Sequence, residues 1–404
     1  MKPFYFLCKH TLLLLFLFLI CSCRGDIDEI VPPLITPVAP PEVPKGPVKG
    51  FFLLNEANMG GNKSSIDYFD FSLGTYFRNI YPTINPGSTL YLGDVGNDIQ
   101  VYGNKLYAVI NCSHYVEVMN LETGQHEGSI TIPNCRYVVF NKGYAYVSSY
   151  NGPVQIKPNA PLGCVTKIDT TNLSIVERCM VGYQPEEMVI RNNKLYVANS
   201  GGYRVPNYDN TVSVIDLETF KEEKKIEVGI NLHRLELDNL GNIYASSRGD
   251  YFYVSSKLFI IDKEDKVSKT LNIACSNMTS SGDSIYLYST EWSHIMGKNT
   301  ITYGIIDTHT QTLVNKNFIT DGTEKYITMP YGLAIHPETK DIYVTDAKNY
   351  VSSGTLYCFS PDGKKKWEVI TGEIPAHIVF TDKKLKTVDL LLEKDKKKVG
   401  INRF

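Results

Sequence analysis

The chain has 404 residues, 43% of them hydrophobic, and a formal net charge of −2 at pH 7. This length is sufficient to bury a large core, so a folded globular protein is expected. Because the charge is close to neutral, the composition shows no bias toward nucleic acid, and no nucleic-acid partner is expected.

Residues 1–22 have the pattern of a lipoprotein signal peptide. Lys2, Lys9 and His10 precede the apolar run TLLLLFLFLI, which is too short to span a membrane but suits a secretory signal. Small residues lead from this run into Cys23, as in a lipobox, so we expect Cys23 to be the acylated first residue of the mature protein. The alternative is an ordinary signal peptide followed by a chance cysteine.

Residues 23–49 are rich in proline, with seven of the twenty prolines between Pro32 and Pro47. Such a stretch is expected not to pair into a sheet but to form an extended, polyproline-like tether for the lipid-anchored protein. At about 3.1 Å per residue, the tether would hold the folded domain on the order of 50 Å from a membrane. A disordered leader that provides clearance alone is the alternative.

Residues 50–380 contain a repeated phrase, a short apolar strand built around a tyrosine. Each copy is followed by a polar, aromatic loop and a second strand that mostly ends in Asp, as in VTKIDTT and VSVIDLET. A period of roughly 40 to 55 residues with several strands per unit predicts a β-propeller of four-stranded antiparallel blades. The six tyrosines are Tyr107, Tyr146, Tyr196, Tyr244, Tyr286 and Tyr343.

The strands predict six complete blades between about residues 92 and 375 and one blade shared by the two ends of the domain. FFLLNEA, SIDYFDF and TYFRNIY would supply three strands of that blade, and PAHIVF its innermost strand. This arrangement closes the ring without free sheet edges. The sequence therefore predicts an all-β, seven-bladed β-propeller, with eight blades as the main alternative. Residues 381–404 read as a solvated, Lys-rich tail whose LLL segment could dock as one helical turn or an extra strand.

Six cysteines lie in the predicted domain, and an exported protein can keep disulfides. Cys164 and Cys179 are placed to face each other across a hairpin, and Cys112 and Cys135 lie at strand ends on one face, so both pairs are possible disulfides. Neither pair has the spacing of metal ligands, and no metal site is predicted. Buried free thiols are the alternative for all six.

The long loops between second and third strands share one face of a propeller with the connections between blades. These segments are rich in Arg, His, Trp and Tyr, which are enriched at recognition surfaces, whereas the opposite face has ordinary polar turns. The alternative is that the tyrosines only pack the loops together. We predict ligand-binding residues on this face at Asn97, His114, Tyr115, Arg136, Tyr150, Gln184, Glu186, Tyr203, Arg204, Arg234, Arg248, Tyr251, Trp292, Tyr331, Tyr350 and His377.

Signatures of common enzymes are absent from the sequence: there is no HExxH, GxSxG, phosphate-binding Gly loop or CxxCH. Carboxylates such as Asp98, Glu186 and Glu187 occur on the loop face, but surface solvation explains them as well as acid–base catalysis does. We expect a protein that is not an enzyme. A hydrolase or lyase that uses these carboxylates or a histidine-bound metal is the alternative.

The segment KLYVANSGG…NTVSVIDLETFKEEKKIEVG resembles the repeat of the YVTN family of propellers, also called YncE-like, over about residues 50–380. The lipobox, the tether and the loops GYQPEEMV, NSGGYRVPNYDN and SRGDYF resemble a narrower group, the BtuG-like surface lipoproteins of Bacteroidetes. That resemblance implies an outer-membrane lipoprotein that faces the cell exterior, binds cobalamin and other corrinoids, and passes them to a TonB-dependent transporter. Cobalamin would be a transported ligand, and no cofactor is expected.

The predicted residues suit a corrinoid, a broad ring edged with amides that carries a phosphate. Tyrosines and Trp292 would cover the ring, and Asn97, Gln184 and Arg204 would bind the amides and the phosphate. The same aromatic loops leave open a glycan- or peptide-binding propeller of a nutrient-uptake system.

Overall fold

The computed structural model describes residues 34–41, 46–293 and 298–401. The predicted signal peptide and the lipidation site Cys23 lie outside these residues. Within the described part of the chain, no helix is both long and apolar enough to cross a membrane.

The described residues form seven antiparallel sheets, six with four strands and one with five. The innermost strand of each sheet contacts the innermost strands of its two neighbours, and the last contacts the first, so the sheets form a closed ring. The seven-bladed β-propeller that the repeats predicted is confirmed, and the eight-bladed alternative is wrong.

The strands of each blade run from the centre of the ring outward. The innermost strands are β5 (Gly96–Tyr102), β9 (Cys135–Asn141), β13 (Pro185–Arg191), β17 (Leu232–Leu237), β21 (Asn277–Ser281), β25 (Pro330–Ile335) and β29 (Pro375–Thr381). The second strands are β6 (Lys105–Ile110), β10 (Tyr144–Ser149), β14 (Lys194–Asn199), β18 (Ile243–Ser247), β22 (Ser284–Ser293), β26 (Ile342–Asp346) and β2 (Gly50–Asn55). The third strands are β7 (Tyr115–Asn120), β11 (Cys164–Asp169), β15 (Thr211–Asp216), β19 (Lys257–Ile261), β23 (Lys298–Asp307), β27 (Ser353–Phe359) and β3 (Ser65–Asp70). The fourth strands are β8 (His126–Thr131), β12 (Ile175–Met180), β16 (Lys221–Glu227), β20 (Val267–Leu271), β24 (Thr312–Asn315), β28 (Lys365–Glu373) and β4 (Thr75–Phe77).

The two ends of the domain meet in one blade, as predicted. Innermost strand β29 pairs with β2, from Gly50 opposite Thr381 to Asn55 opposite Pro375. This blade also contains a fifth strand, β1 (Ile35–Pro37), which pairs with β4 at the outer edge. The prediction that the proline-rich stretch does not pair into a sheet is therefore wrong for these residues. Proline is tolerated there because an edge strand need not donate every N–H to a neighbour.

The repeated tyrosines pack each blade against the next. Tyr107 contacts Phe140 of the following blade with ring centroids 4.8 Å apart, and Tyr343 contacts Phe51 of the closing blade at 5.3 Å. Five of the six are buried and Tyr286 is partly buried. Since full burial of a large apolar side chain contributes about 1.5–3 kcal/mol, the repeated tyrosine holds the ring together. This is the physical reason for the repeat.

Six of the seven innermost strands begin with a β-bulge, in which one extra residue is inserted opposite the second strand. In β13, for example, Pro185 and Met188 pair with Asn199 and Val197. The same insertion occurs in β5, β9, β17, β25 and β29, whereas β21 pairs regularly. A bulge changes the direction of the side chains within it. In these six strands it therefore changes which side chains point toward the centre of the ring.

The six described cysteines are free thiols, so the two possible disulfides are not formed. The register of the hairpin explains one pair: Cys164 lies opposite Met180, and Cys179 lies opposite Val165. An offset of one residue places the two sulfurs on opposite faces of the sheet. In the other pair, the Cys135 thiol contacts the carbonyl oxygens of Ile110 and Tyr115.

The C-terminal residues were predicted to be a solvated tail, but in the structure they pack against the propeller. After β29 the chain reaches α2 (Val388–Ile401), which contacts α1 (Tyr81–Ile84). Leu385, Val388 and Leu391 are buried in a cluster shared by the closing blade and the first complete blade. A short 3-10 helix at Thr323–Tyr326 lies between β24 and β25. The tail therefore bridges the two blades at which the ring closes, with the LLL segment in a helix of 14 residues.

Candidate functional site

A cavity of about 940 Å³ lies on the face where innermost strands begin and second strands end. Its walls come from the starts of the innermost strands, the connections between blades, and the loops between second and third strands. This is the face that the loop composition singled out. Nine of the sixteen predicted residues line the cavity: Asn97, Arg136, Tyr203, Arg234, Arg248, Tyr251, Tyr331, Tyr350 and His377.

Two guanidinium groups on the cavity wall share one buried carboxylate. Arg136 donates to Glu186 Oε2 from Nε at 3.0 Å and from Nη2 at 2.8 Å. Arg248 Nη1 lies 3.5 Å from Glu186 Oε1, which also accepts a hydrogen bond of 2.6 Å from the Tyr150 hydroxyl. Burial opposes ionisation of Glu186, but Arg136 and Arg248 outweigh it and hold its pKa below the usual value. Glu186 is therefore a permanent anion behind the wall.

The third guanidinium belongs to Arg234, which is buried. Its Nη1 donates to Glu187 Oε1 at 3.2 Å, and its guanidinium carbon lies 5.4 Å from the centre of the Tyr137 ring. Arg136 lies 5.8 Å from the centre of the same ring, so both cations lie near Tyr137. Arg234 Nε is buried and has no hydrogen-bond partner among the described residues.

The two histidines on the cavity wall are neutral. Burial and the nearby arginines hold the pKa values of His233 and His377 well below 6.5. His233 Nε2 lies within hydrogen-bond distance of the Tyr137 hydroxyl at 3.2 Å. The positive charge of the cavity therefore comes from its three guanidinium groups, and it persists at neutral pH.

Several carboxylates near the cavity connect neighbouring blades. Each accepts a backbone N–H from the innermost strand of the next blade, in hydrogen bonds of 2.9 Å. The pairs are Asp98 with Val138, Glu187 with Leu235, and Glu236 with Ser280. Burial raises the pKa of Asp98 and of Glu236 to about 7 in each case. These carboxylates therefore act as clamps that hold the ring of blades together.

Aromatic side chains form much of the remaining wall. Tyr331 packs edge-on against Tyr350 with centroids 6.1 Å apart, and its hydroxyl donates to Glu56 Oε2 at 2.6 Å. Burial raises the pKa of Glu56. At the rim, Tyr251 and Phe252 are 59% and 79% exposed. The cavity thus combines an apolar rim with a cationic wall.

Six predicted residues with described side chains do not line the cavity. Tyr150 and Glu186 lie directly behind Arg136. Gln184 is buried and its Oε1 accepts a hydrogen bond from the Tyr203 backbone, so it shapes a loop. The other three also serve the loops or the core, namely His114, Tyr115 and Arg204. The side chain of Trp292 lies outside the described residues.

The structure also brings residues into the cavity that the sequence did not single out. Tyr137, His233 and Tyr288 line it, as does Glu56 at the end of β2. Tyr137 lies beside Arg136 in the bulge of β9, and His233 lies beside Arg234 in the bulge of β17, so both residues of each bulge reach the wall. A bulge has no clear sequence signal, so only their position at the start of an innermost strand could have indicated them.

Within residues 34–41, 46–293 and 298–401, no group of three or more His, Cys, Asp or Glu is placed to hold a metal ion.

The chain belongs to the family described as a domain of unknown function, DUF5074, whose model matches residues 49–381. No curated protein sequence matches the chain. Among solved structures, hydrazine synthase of Kuenenia stuttgartiensis is 16% identical with a TM-score of 0.53, over 68% of this chain and 86% of that one. A quinoprotein alcohol dehydrogenase-like protein of Bacteroides thetaiotaomicron is 19% identical with a TM-score of 0.55, over 83% of this chain and 78% of that one. At these identities the likeness shows the fold alone.

Proposed function

We propose that this member of the DUF5074 family is a surface lipoprotein that captures cobalamin or a related corrinoid in its cavity and passes it to a TonB-dependent outer-membrane transporter. The observation that carries the proposal is the open cavity of about 940 Å³ with an aromatic rim and guanidinium groups on its wall. Concave sites with aromatic walls and a few placed polar groups are typical of small-molecule binding.

The wall offers the contacts that a corrinoid needs. Tyr251, Tyr331 and Tyr350 provide flat apolar surface with hydroxyl groups at the edge, and tyrosine loses little conformational entropy when it is fixed. The Asn97 amide also lines the cavity and donates to the Arg136 carbonyl at 2.6 Å, which fixes its orientation. Its oxygen can accept a hydrogen bond from a corrinoid amide.

The scaffold favours tight capture because it is rigid before the ligand arrives. Inter-blade carboxylate clamps and buried tyrosines fix the innermost strands, so binding orders few additional groups. Low ordering cost favours slow release, and transfer would then require the transporter to disturb or share the site. Capture of this kind needs no covalent step, and we propose that the protein is not an enzyme.

Calorimetry of the mature chain with cyanocobalamin at micromolar concentration tests the proposal. We expect saturable binding, and we expect Tyr251→Ala to weaken it at least tenfold, or about 1.4 kcal/mol. Tyr326→Ala is the matched control, because Tyr326 is 76% exposed and does not line the cavity. Absence of binding, or equal affinity in both variants, would reject the proposal. If cyanocobalamin does not bind, a glycan array would test the alternative ligand class.

The location has a separate test. Cys23→Ser should remove the acyl anchor and release the protein from the membrane fraction, whereas Cys112→Ser should leave fractionation unchanged. If Cys23→Ser stays in the membrane fraction, the lipoprotein part of the proposal is wrong, and the binding part is unaffected.

A further inference from the structure

We infer that the Arg136–Arg248 side of the cavity is an oxyanion subsite that binds a phosphate or carboxylate group of the entering ligand. The inference deepens the proposed function, because it rests on ligand binding in the same cavity. It does not require that the ligand is a corrinoid. It names the chemical group that the wall recognises and the residue that recognises it.

The Arg248 guanidinium has donors that the protein does not use. Its side chain is 30% exposed and lines the cavity. Among the described residues, its guanidinium contacts only Glu186, at 3.5 Å, a distance that makes an ion pair without a well-formed hydrogen bond. Arginine carries five N–H donors in a planar fork that matches phosphate and carboxylate. The ion pair with Glu186 therefore positions the Arg248 guanidinium, and its N–H donors remain available to a ligand.

On the Arg136–Arg248 side of the cavity, the charge of two guanidinium groups exceeds that of the one carboxylate with which both form ion pairs. Glu56 and Glu291 also line the cavity, but neither forms an ion pair with these two arginines in the described part of the chain. Arg136 and Arg248 share the single carboxylate of Glu186, and Arg136 takes the stronger contacts. Arg234 adds a third cation beside the Tyr137 ring and pairs with Glu187. In a site shielded from water, such an excess attracts an anion more strongly than it would at the surface.

The backbone around Arg248 is fixed before a ligand binds. The Arg248 N–H donates to the Asn231 carbonyl at 3.0 Å, and the Asn231 side chain donates to the Gly249 carbonyl at 3.0 Å. Gly249 has φ +65°, and a Cβ there would lie 1.9 Å from the Val254 carbonyl oxygen, so the turn requires glycine. A guanidinium on such a turn is preorganised for a ligand group.

Inorganic phosphate is the first probe, because it carries the charge without the rest of any ligand. Titration of the mature chain with phosphate, followed by calorimetry and 31P NMR in low chloride, should show one saturable site. Arg248→Gln should weaken phosphate binding at least tenfold. Arg178→Gln on the exposed strand β12 is the matched control and should bind as the wild type does. Saturable binding of neither phosphate nor acetate, or equal loss in both variants, would overturn the inference.

Two further measurements separate charge from geometry and this inference from the proposed function. Arg248→Lys keeps the charge but loses the planar fork, and it should bind phosphate more weakly than the wild type and more tightly than Arg248→Gln. Acetate in place of phosphate shows which oxyanion is preferred, and binding of either supports the subsite. If phosphate binds and cyanocobalamin does not, the corrinoid proposal fails and the subsite stands. If cyanocobalamin binds and neither oxyanion does, the subsite fails alone.

Discussion

Replacing Glu236 by glutamine should make the protein more stable at pH 8 and change little under acidic conditions. Glu236 lies on innermost strand β17, and its Oε1 accepts the Ser280 N–H at 2.9 Å. Burial raises its pKa from 4.5 to about 7, and the charge of Glu187 adds to the effect. Glutamine keeps an acceptor at the same position, so the clamp between the two blades is preserved while the ionisable group is removed.

The magnitude follows from the pKa difference between the folded and unfolded states. A tenfold change in an acid dissociation constant is worth about 1.4 kcal/mol, so a rise from 4.5 to about 7 gives about 3 kcal/mol. Because the folded pKa is raised, the folded state holds the proton more tightly than the unfolded state does. The folded protein therefore loses stability as pH rises from about 4.5 to 7, and the full penalty is present above pH 7. Glutamine avoids this penalty.

Urea denaturation at pH 5 and pH 8 measures the effect, with the midpoint and slope fitted separately. The free energy of unfolding of Glu236→Gln should exceed that of the wild type by about 3 kcal/mol at pH 8 and by about 1 kcal/mol at pH 5. Glu177→Gln on the exposed strand β12 is the control and should show no such dependence. A variant that is less stable than the wild type at pH 8 would show that the ionised carboxylate stabilises the ring, which would refute the reasoning.

Three further predictions concern the scaffold. Removing residues 383–404 should lower the free energy of unfolding by several kcal/mol, as measured by chemical denaturation. The deletion removes three buried side chains from the cluster between the closing blade and the first complete blade, and burial of each contributes about 1.5–3 kcal/mol. Tyr244→Ala should cost about 3–5 kcal/mol in the same assay, since Tyr244 is fully buried against the next blade. Arg191→Met, at the opposite end of β13 from the cavity, should cost about 2 kcal/mol because it removes one of the two cations paired with Asp265 and leaves Lys224 and the Tyr196 hydroxyl, while calorimetry should show unchanged ligand affinity.

The repeat allowed the fold to be predicted because its tyrosine has a structural role in six of the seven blades. Tyr107 and Tyr343 occupy equivalent positions and pack on Phe140 and Phe380, each on the innermost strand of the next blade, so spacing along the chain translates directly into blades around the ring. The proline-rich stretch was harder to interpret. Composition argued against pairing, but the edge strand at Ile35–Pro37 needs only a few backbone bonds, such as Val38 N–H to the Gly74 carbonyl at 2.9 Å.

The sequence could indicate the face of the propeller on which the cavity lies, but not which individual side chains line it. Loop composition placed Arg136 and Arg248 on one face of the ring, and both line the cavity on that face. It could not distinguish a side chain that lines the cavity from one that supports a loop. Gln184 turns inward to bind the Tyr203 backbone, and its positive φ of 49° reflects a local turn that residue type does not signal. The bulges that bring Tyr137 to the wall are likewise set by strand register.

The division of charged residues between clamps and cavity explains how a nearly neutral protein acquires a cationic site. Asp98, Glu187 and Glu236 each use an oxygen to hold the backbone of the next blade. Arginine has no acceptor and cannot serve as such a clamp, and the guanidinium groups of Arg136, Arg234 and Arg248 instead form ion pairs and line the cavity. Because Arg136 and Arg248 must share Glu186, one of them retains unused donors. The same innermost strands thus stabilise the ring with their carboxylates and leave positive charge at its centre for a ligand.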